Sequence, residues 1–211
     1  MKLYGTKGSG SAAVEAALVL LGQPFEAVEA ASWQPSPGSE ELARINLLGQ
    51  IPTLVLDDGS VLSESAAILI HLGLAHPDSG LLPADPAARA QAIRGLVYIA
   101  ANCYALISVI DFPDRYCADV DEATSQRMRD GTRATLHRRW KIFADEFAAT
   151  EQPFLGGAVP GALDLLAGVV SRWSATRKAL AQRRPAFHAL LQRVDAHPQL
   201  APVFARHWPA A

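Results

Sequence analysis

Residues Gly49 to Leu72 read GQIPTLVLDDGSVLSESAAILIHL: two short apolar runs joined by an acidic glycine turn, then a helix. Ile51 to Leu56 is apolar except for Pro52 and Thr53, and it meets Asp57-Asp58-Gly59-Ser60. Asp-Gly between apolar runs is a hairpin signal, because both residues tolerate positive φ. Val61-Leu62 is then the return strand. Ser63-Glu64-Ser65 opens a helix over Ala66 to about Leu72, with hydroxyls able to cap its free amides. Pro52 has no N–H to give to a ladder, so it sits at the start of a strand or on a sheet edge. A cis bond before Pro52 would turn the chain and present the N–H and C=O of Ile51 outward; the residues alone leave the isomer open.

Towards the N-terminus, Lys2-Leu3-Tyr4 reads as a strand and Gly5 to Ser11 as a loop. Ala12 to Leu21 is a helix with Val14, Leu18 and Leu21 on one face, closed by Gly22. Pro24 to Glu29 alternates as a second strand, and a proline-rich loop leads to a short helix from Ser39 to Asn46. The order β-α-β-α-β-β-α is thioredoxin-like and ends near Ala75. Residues 76–86 are turn-rich and form a linker. The rest reads as helix: Ala87 to Asp111, apolar on almost every side and stopped by Pro113; Asp121 to Thr150; Ala162 to Trp173; Ala186 to Ala196; and Leu200 to His207. Leu136, Trp140, Phe143 and Phe147 share one stripe of the second of these helices. The expected fold class is an α/β thioredoxin-like N-terminal domain (1–75) plus an all-α C-terminal domain (87–211).

Half of the 211 residues are hydrophobic and 19% are charged, which excludes a disordered chain and leaves ample material for a core. A formal net charge of −2 gives no electrostatic footprint for nucleic acid. Cys103 and Cys117 form neither a CxxC pair nor a disulfide framework, so a reducing, cytoplasmic setting fits. The six histidines show no metal-ligand spacing, and no metal is expected. Ala12 to Leu21 follows Lys2 and Lys7 as a signal peptide would, but Glu15 interrupts it and a strand and glycine loop precede it. No apolar run is expected to reach the roughly 18–20 residues of a membrane span.

Gly49, Gln50, Ile51, Pro52, Leu54, Asp58, Gly59, Leu62, Glu64, Ser65, Ala67 and Ile68 together resemble the glutathione-binding half of the glutathione S-transferases. An α/β unit followed by an all-helical one is that family's layout, so the resemblance covers the whole chain. It implies a homodimer with glutathione as co-substrate. Glu64 would accept from the γ-glutamyl amine, Ser65 would hold the adjacent carboxylate at a helix start, and the Ile51 backbone would pair with the cysteinyl residue. Gln50, Gln34 and Arg44 are each available for the glycyl carboxylate, and Pro52 shapes the site.

Gly8-Ser9-Gly10-Ser11-Ala12-Ala13 matches the dinucleotide fingerprint, with acidic Glu29 about twenty residues on. That reading needs further parallel β-α units, and a hairpin and helices follow instead. A phosphate loop fails because Ser11 stands where its lysine belongs. A third reading is a thiol site: Ser9 and Ser11 lie at a helix N-terminus, where the macrodipole and a donated hydroxyl hydrogen bond lower a thiol pKa. The resemblance places the activating serine just before the first helix, at Ser9 or Ser11. The chain's opening is also similar to the bacterial beta class, K-L-Y-x-T-x-G-S-C-S, but Gly10 stands where that class has its cysteine, and Gly5 where it has an aromatic. Mixed-disulfide chemistry is therefore not expected. Plain helix capping by the serines remains an alternative.

For the electrophilic small molecule, Tyr98, Asn102, Tyr104, Phe112, Arg115 and Tyr116 are candidates, with Arg115 suited to an anionic acceptor. Gly161 replaces the usual capping hydroxyl before Asp164, a weaker structural cap. Arg172, Arg177, Lys178, Arg183 and Arg184 read as a solvated face. The expected activity is thiol transfer from glutathione to an electrophile. The alternatives are a non-catalytic scaffold of the same fold, or a specialised glutathione-dependent dehalogenase or isomerase.

Overall fold

The computed structural model describes residues 1–31, 33–148 and 151–209. Four strands form one sheet in the order β2-β1-β3-β4: β1 Lys2–Gly5, β2 Glu26–Glu29, β3 Thr53–Val55 and β4 Val61–Ser63. β1 and β2 are parallel, so the chain must cross between them, and helix α1 (Ser11–Leu20) is that crossover. β3 runs antiparallel to both β1 and β4, with Leu3 opposite Leu54 and Leu54 opposite Leu62. Alternation along β1 sends Leu3 and Tyr4 to opposite faces. Leu3 joins Val14, Leu18, Leu54, Ile68 and Leu72 in the main core, while Tyr4 packs with Leu42 of α2 (Pro37–Ile45).

The hairpin is present but its turn differs from the expected one. Among Asp57, Asp58 and Gly59 only Gly59 has positive φ (84°), Gly59 N–H donates to Leu56 C=O, and Asp58 Oδ1 accepts from Ser60 N–H. This is a three-residue loop with glycine in the left-handed position. Helix α2 begins at Pro37 rather than Ser39, because Ser36 and Ser39 form a reciprocal capping box. Helix α3 (Ser65–Ala75) carries no side-chain cap, so the hydroxyl capping expected of Ser63 and Ser65 is absent.

The first long helix after the turn-rich segment is broken. Pro86–Ile99 (α4) and Ala105–Asp111 (α5) are α-helical, and Ala100–Tyr104 between them is a π-turn. Within these 26 residues an 18-residue window has mean hydropathy 1.7, so by length and composition this helix could cross a bilayer, contrary to the expectation that no apolar run reaches a span. Leu96, Ile99, Cys103 and Ile107 lie in the core, but Val97 is 52% exposed, so the helix is not buried all round. α6 (Glu122–Phe147) buries Leu136, Trp140 and Phe143 along the expected stripe. The expected end of that helix at Thr150 lies outside the described residues. α7 (Ala162–Val170) is buried at every position and packs against α1, α3 and α4. α8 (Thr176–Arg183), α9 (Pro185–Asp195) and α10 (Ala201–His207) complete the chain.

The basic run is only partly a solvated face. Arg172 and Arg177 both bond Asp195 at 2.6 Å, and Arg177 also donates to Gly168 C=O and Ser171 Oγ. Arg172 lies over the Trp208 ring, and Arg184 pairs with Asp145. Asp195 sits on α9, which is why a run without adjacent acids looked unpaired in sequence.

Asp164 compensates for the missing capping hydroxyl. Its carboxylate accepts from the N–H groups of Leu155, Gly156 and Gly161 at 2.7 to 2.9 Å, tying the preceding loop to α7. Burial pushes this carboxyl up to about 6, while the three N–H donors pull the other way. Asp164→Ala strands three donors in a closed site, and we expect it to cost about 3 kcal/mol or more in urea unfolding. A loss under 1 kcal/mol, about one ordinary hydrogen bond, would contradict this role.

Candidate functional site

A cavity of about 410 Å³ opens between the sheet half and the α4–α5 helix. Ser9, Gly10, Gln50, Ile51, Pro52, Glu64 and Ser65 line one wall. Tyr104, Ile107, Ser108, Asp111 and Phe112 line the other, with Trp33, Leu166 and Trp173 beside them. The size is within the range of small-molecule sites, roughly 300–1,000 Å³.

The Ile51–Pro52 peptide bond is cis. Gln50 C=O is taken by Asn46 Nδ2 at 3.1 Å and Thr53 Oγ1 at 2.9 Å. Among the described residues no group bonds the N–H or C=O of Ile51, and Ile51 lines the cavity. Glu64, the residue before α3, has φ 68° and ψ 111°, a region costing a non-glycine residue about 1–3 kcal/mol. The first bond of α3 runs from Ile68 N–H to Glu64 C=O at 3.0 Å. The amides of Ser65, Ala66 and Ala67 therefore precede the helical ladder with no side chain capping them.

The serines at α1 are largely occupied with each other. Ser9 Oγ donates to Thr6 C=O at 2.8 Å and lies 2.8 Å from Ser11 Oγ; Ser11 Oγ also reaches Thr6 C=O at 3.3 Å. Two hydroxyl protons thus have internal acceptors. Ser9 lines the cavity and Ser11 does not: a Cβ built on Gly5 would stand 2.3 Å from Ser11 Oγ, so Ser11 points beneath β1. That contact explains why position 5 holds glycine instead of an aromatic.

Gly10 is equally constrained. A Cβ there would stand 2.2 Å from Tyr104 Oη and 3.1 Å from its Cζ. The Tyr104 ring packs on Trp173 at 5.3 Å between centroids, and burial, with the Glu64 charge adding to it, pushes the phenol up to about 12. The volume that a cysteine at position 10 would need is filled by a tyrosine oxygen.

Of the other acceptor candidates, Phe112 lines the cavity and the rest lie elsewhere. Tyr98 donates to Arg139 C=O at 3.0 Å and stacks among Phe143 and Phe147. Asn102 and Arg115 do not line the cavity; Arg115 lies 3.9 Å over the Phe112 ring, and Tyr116 donates to Ser108 Oγ. Of the three residues considered for a glycyl carboxylate, Gln50 lines the cavity, and Gln34 and Arg44 do not. Asp111 is the charged group on the helical wall, its carboxyl raised by burial.

The C-terminus contributes a support that no local pattern announced. Gly8 N–H donates to His207 Nδ1 at 3.2 Å, which leaves the proton on Nε2, bonded to Glu15 at 2.8 Å. Burial pushes Glu15 up, but the bonds from His207 and Arg206 together hold it below its ordinary value. α10 is thereby pinned to the loop that precedes α1. Among the described residues no group of three or more acids, histidines and cysteines is arranged to hold a metal.

The family model for the glutathione S-transferase N-terminal domain matches residues 11–74. Beyond that stretch the chain is similar to glutathione S-transferases over its whole length. The "Uncharacterized GST-like protein YncG" of Escherichia coli K12 is 33% identical over 123 residues, 58% of this chain; the chain spans 60% of that relative. "Glutathione S-transferase GstA" of Escherichia coli O157:H7 is 26% identical over 95% of both chains. Among solved structures, a ternary complex of BphK, a bacterial GST, superposes with TM-score 0.80 at 25% identity, covering 98% of this chain and 99% of that one. The Gly10–Tyr104 fit gives a direct check on the site's geometry. Gly10→Ala is expected to destabilise, and Tyr104→Phe, which removes the oxygen 2.2 Å away, to restore part of the loss. A double-mutant cycle should give a coupling of about 1–3 kcal/mol, and strict additivity would contradict the contact.

Proposed function

We propose that this chain is a glutathione transferase that ionises the thiol at the start of α1 and directs it at a neutral, apolar electrophile. One observation carries the reading: a single cavity brings together the unbonded Ile51 backbone, the uncapped start of α3 with Glu64, and the start of α1. The N-terminal half, residues 1–75, would hold the peptide. The Ile51 N–H and C=O pair with the cysteinyl residue as a short added strand. Glu64 accepts from the γ-glutamyl amine, and the Ser65 hydroxyl with the open amides of α3 binds the neighbouring carboxylate. Gln50, which lines the cavity, would take the glycyl end. The whole-length relative GstA carries the glutathione transferase name.

The sulfur then lies by Ser9 and Gly10, where the positive end of α1 favours the thiolate. The thiol proton leaves to solvent, the sulfur lone pair forms the new S–C bond, and any leaving group departs with its bonding electrons. The electrophile sits against Ile107, Phe112, Leu166 and Trp173. With Asp111 and Glu64 on the walls and Arg115 outside, an anionic electrophile is disfavoured, contrary to the role first expected for Arg115. The protein would work in a reducing cytoplasm, where Cys103 and Cys117 remain free thiols, and as a homodimer, with the exposed Val97 face available for pairing. A second reading, a glutathione-binding scaffold without transfer activity, is favoured by one observation: the Ser9 and Ser11 protons are already committed.

Calorimetry with glutathione tests the proposal. The wild type should bind, and Glu64→Gln should weaken binding by roughly 10- to 100-fold, the value of a charge-assisted bond. Absence of binding heat overturns both readings; binding with an unshifted thiol titration leaves the scaffold. Glu64→Gly separates fold from function: relief of the φ 68° backbone should raise unfolding stability by about 1 kcal/mol while glutathione affinity falls.

A further inference from the structure

We propose that the Tyr104 hydroxyl, rather than a serine, is the side chain that donates a hydrogen bond to the glutathione sulfur in this chain. The inference rests on reading the cavity as a glutathione site, and it deepens that reading. Its basis is placement. Tyr104 Oη stands 2.2 Å from where a Cβ on Gly10 would be, at the N-cap of α1 and inside the cavity. Glycine at position 10 is what lets the tyrosine reach this point.

Proton supply points the same way. Ser9 and Ser11 have Thr6 C=O and each other as acceptors, and Ser11 does not reach the cavity. The Tyr104 hydroxyl, by contrast, has no hydrogen-bond acceptor for its proton among the described residues. That phenol, raised to about 12 by burial and by the Glu64 charge, stays protonated throughout the neutral range and acts as a donor only. Its position is fixed twice over, by Trp173 against the ring and by the π-turn Ala100–Tyr104, a local feature often found at functional sites.

No proton passes from the tyrosine in this scheme. The thiol proton goes to water, the thiolate accepts the Tyr104 O–H bond, and that bond weakens as the sulfur pair becomes the S–C bond. Tyr104 is thus a catalytic residue that acts on the thiol equilibrium.

The test follows the ultraviolet thiolate absorbance of bound glutathione against pH in wild type, Tyr104→Phe and Ser9→Ala. Calorimetry with S-methylglutathione, which has no ionisable thiol, serves as binding and folding control. Tyr104→Phe should raise the thiol midpoint by about one pH unit, a tenfold change in the ionisation constant, with S-methylglutathione affinity retained. Ser9→Ala should move the midpoint less. An unmoved midpoint in Tyr104→Phe overturns the proposal, as does a larger shift in Ser9→Ala. Tighter glutathione binding by Tyr104→Phe also overturns it, because the hydroxyl would then be a plug in the sulfur's place. Failure of the wild type to bind either ligand would instead remove the glutathione reading itself.

Discussion

Glu64 holds a backbone conformation that costs it free energy, and the binding face of the molecule follows from that. At φ 68° the chain enters α3 with no capping side chain, which leaves the amides of residues 65–67 uncapped beside the cavity that Glu64, Ser65 and Ala66 line. A serine or aspartate cap would have satisfied one of these donors. The sheet sets the opposite edge, since β3 and β4 fix both the Pro52 corner and the Glu64 entry through one hairpin. The strain is maintained because Ile68, Leu69 and Leu72 anchor α3 in the main core behind it.

The α1 end of the cavity is arranged differently. There two donors are occupied: Gly8 N–H by His207 Nδ1 and Ser11 N–H by Ser9 Oγ. One wall thus offers open amides to a carboxylate, and the other offers a positive helix end screened by hydroxyls. Such asymmetry suits a ligand with one permanent anion and one weakly acidic group. The acids Glu64 and Asp111 add a bias against further negative charge in the acceptor space.

The parts legible in sequence are those whose physics is local. Proline, an Asp-Gly turn and a helix opening lie within one 24-residue stretch, and their spacing placed Ile51, Glu64 and Ser65 in one cavity. Side-chain direction along α4–α5 was not legible. A regular helix sets Tyr98, Asn102 and Tyr104 by one period, but the π-turn at Ala100–Tyr104 changes the register, so Tyr104 enters the cavity while Tyr98 packs on α6. Nor could the sequence reveal that Ser11 faces Gly5, that Arg177 meets Asp195, or that His207 supports Gly8 across 199 positions. These bonds depend on how α7, α9 and α10 return to the sheet, and no residue pattern near them encodes it.

The central claim is that one ligand spans both helix starts, with a carboxylate at α3 and sulfur at α1. An amide-resolved NMR titration with glutathione tests it most directly. The account requires the amides of Ser65, Ala66 and Ala67 and that of Gly10 to shift together, with a single midpoint. Shifts confined to one helix start, or two separate midpoints, would contradict it.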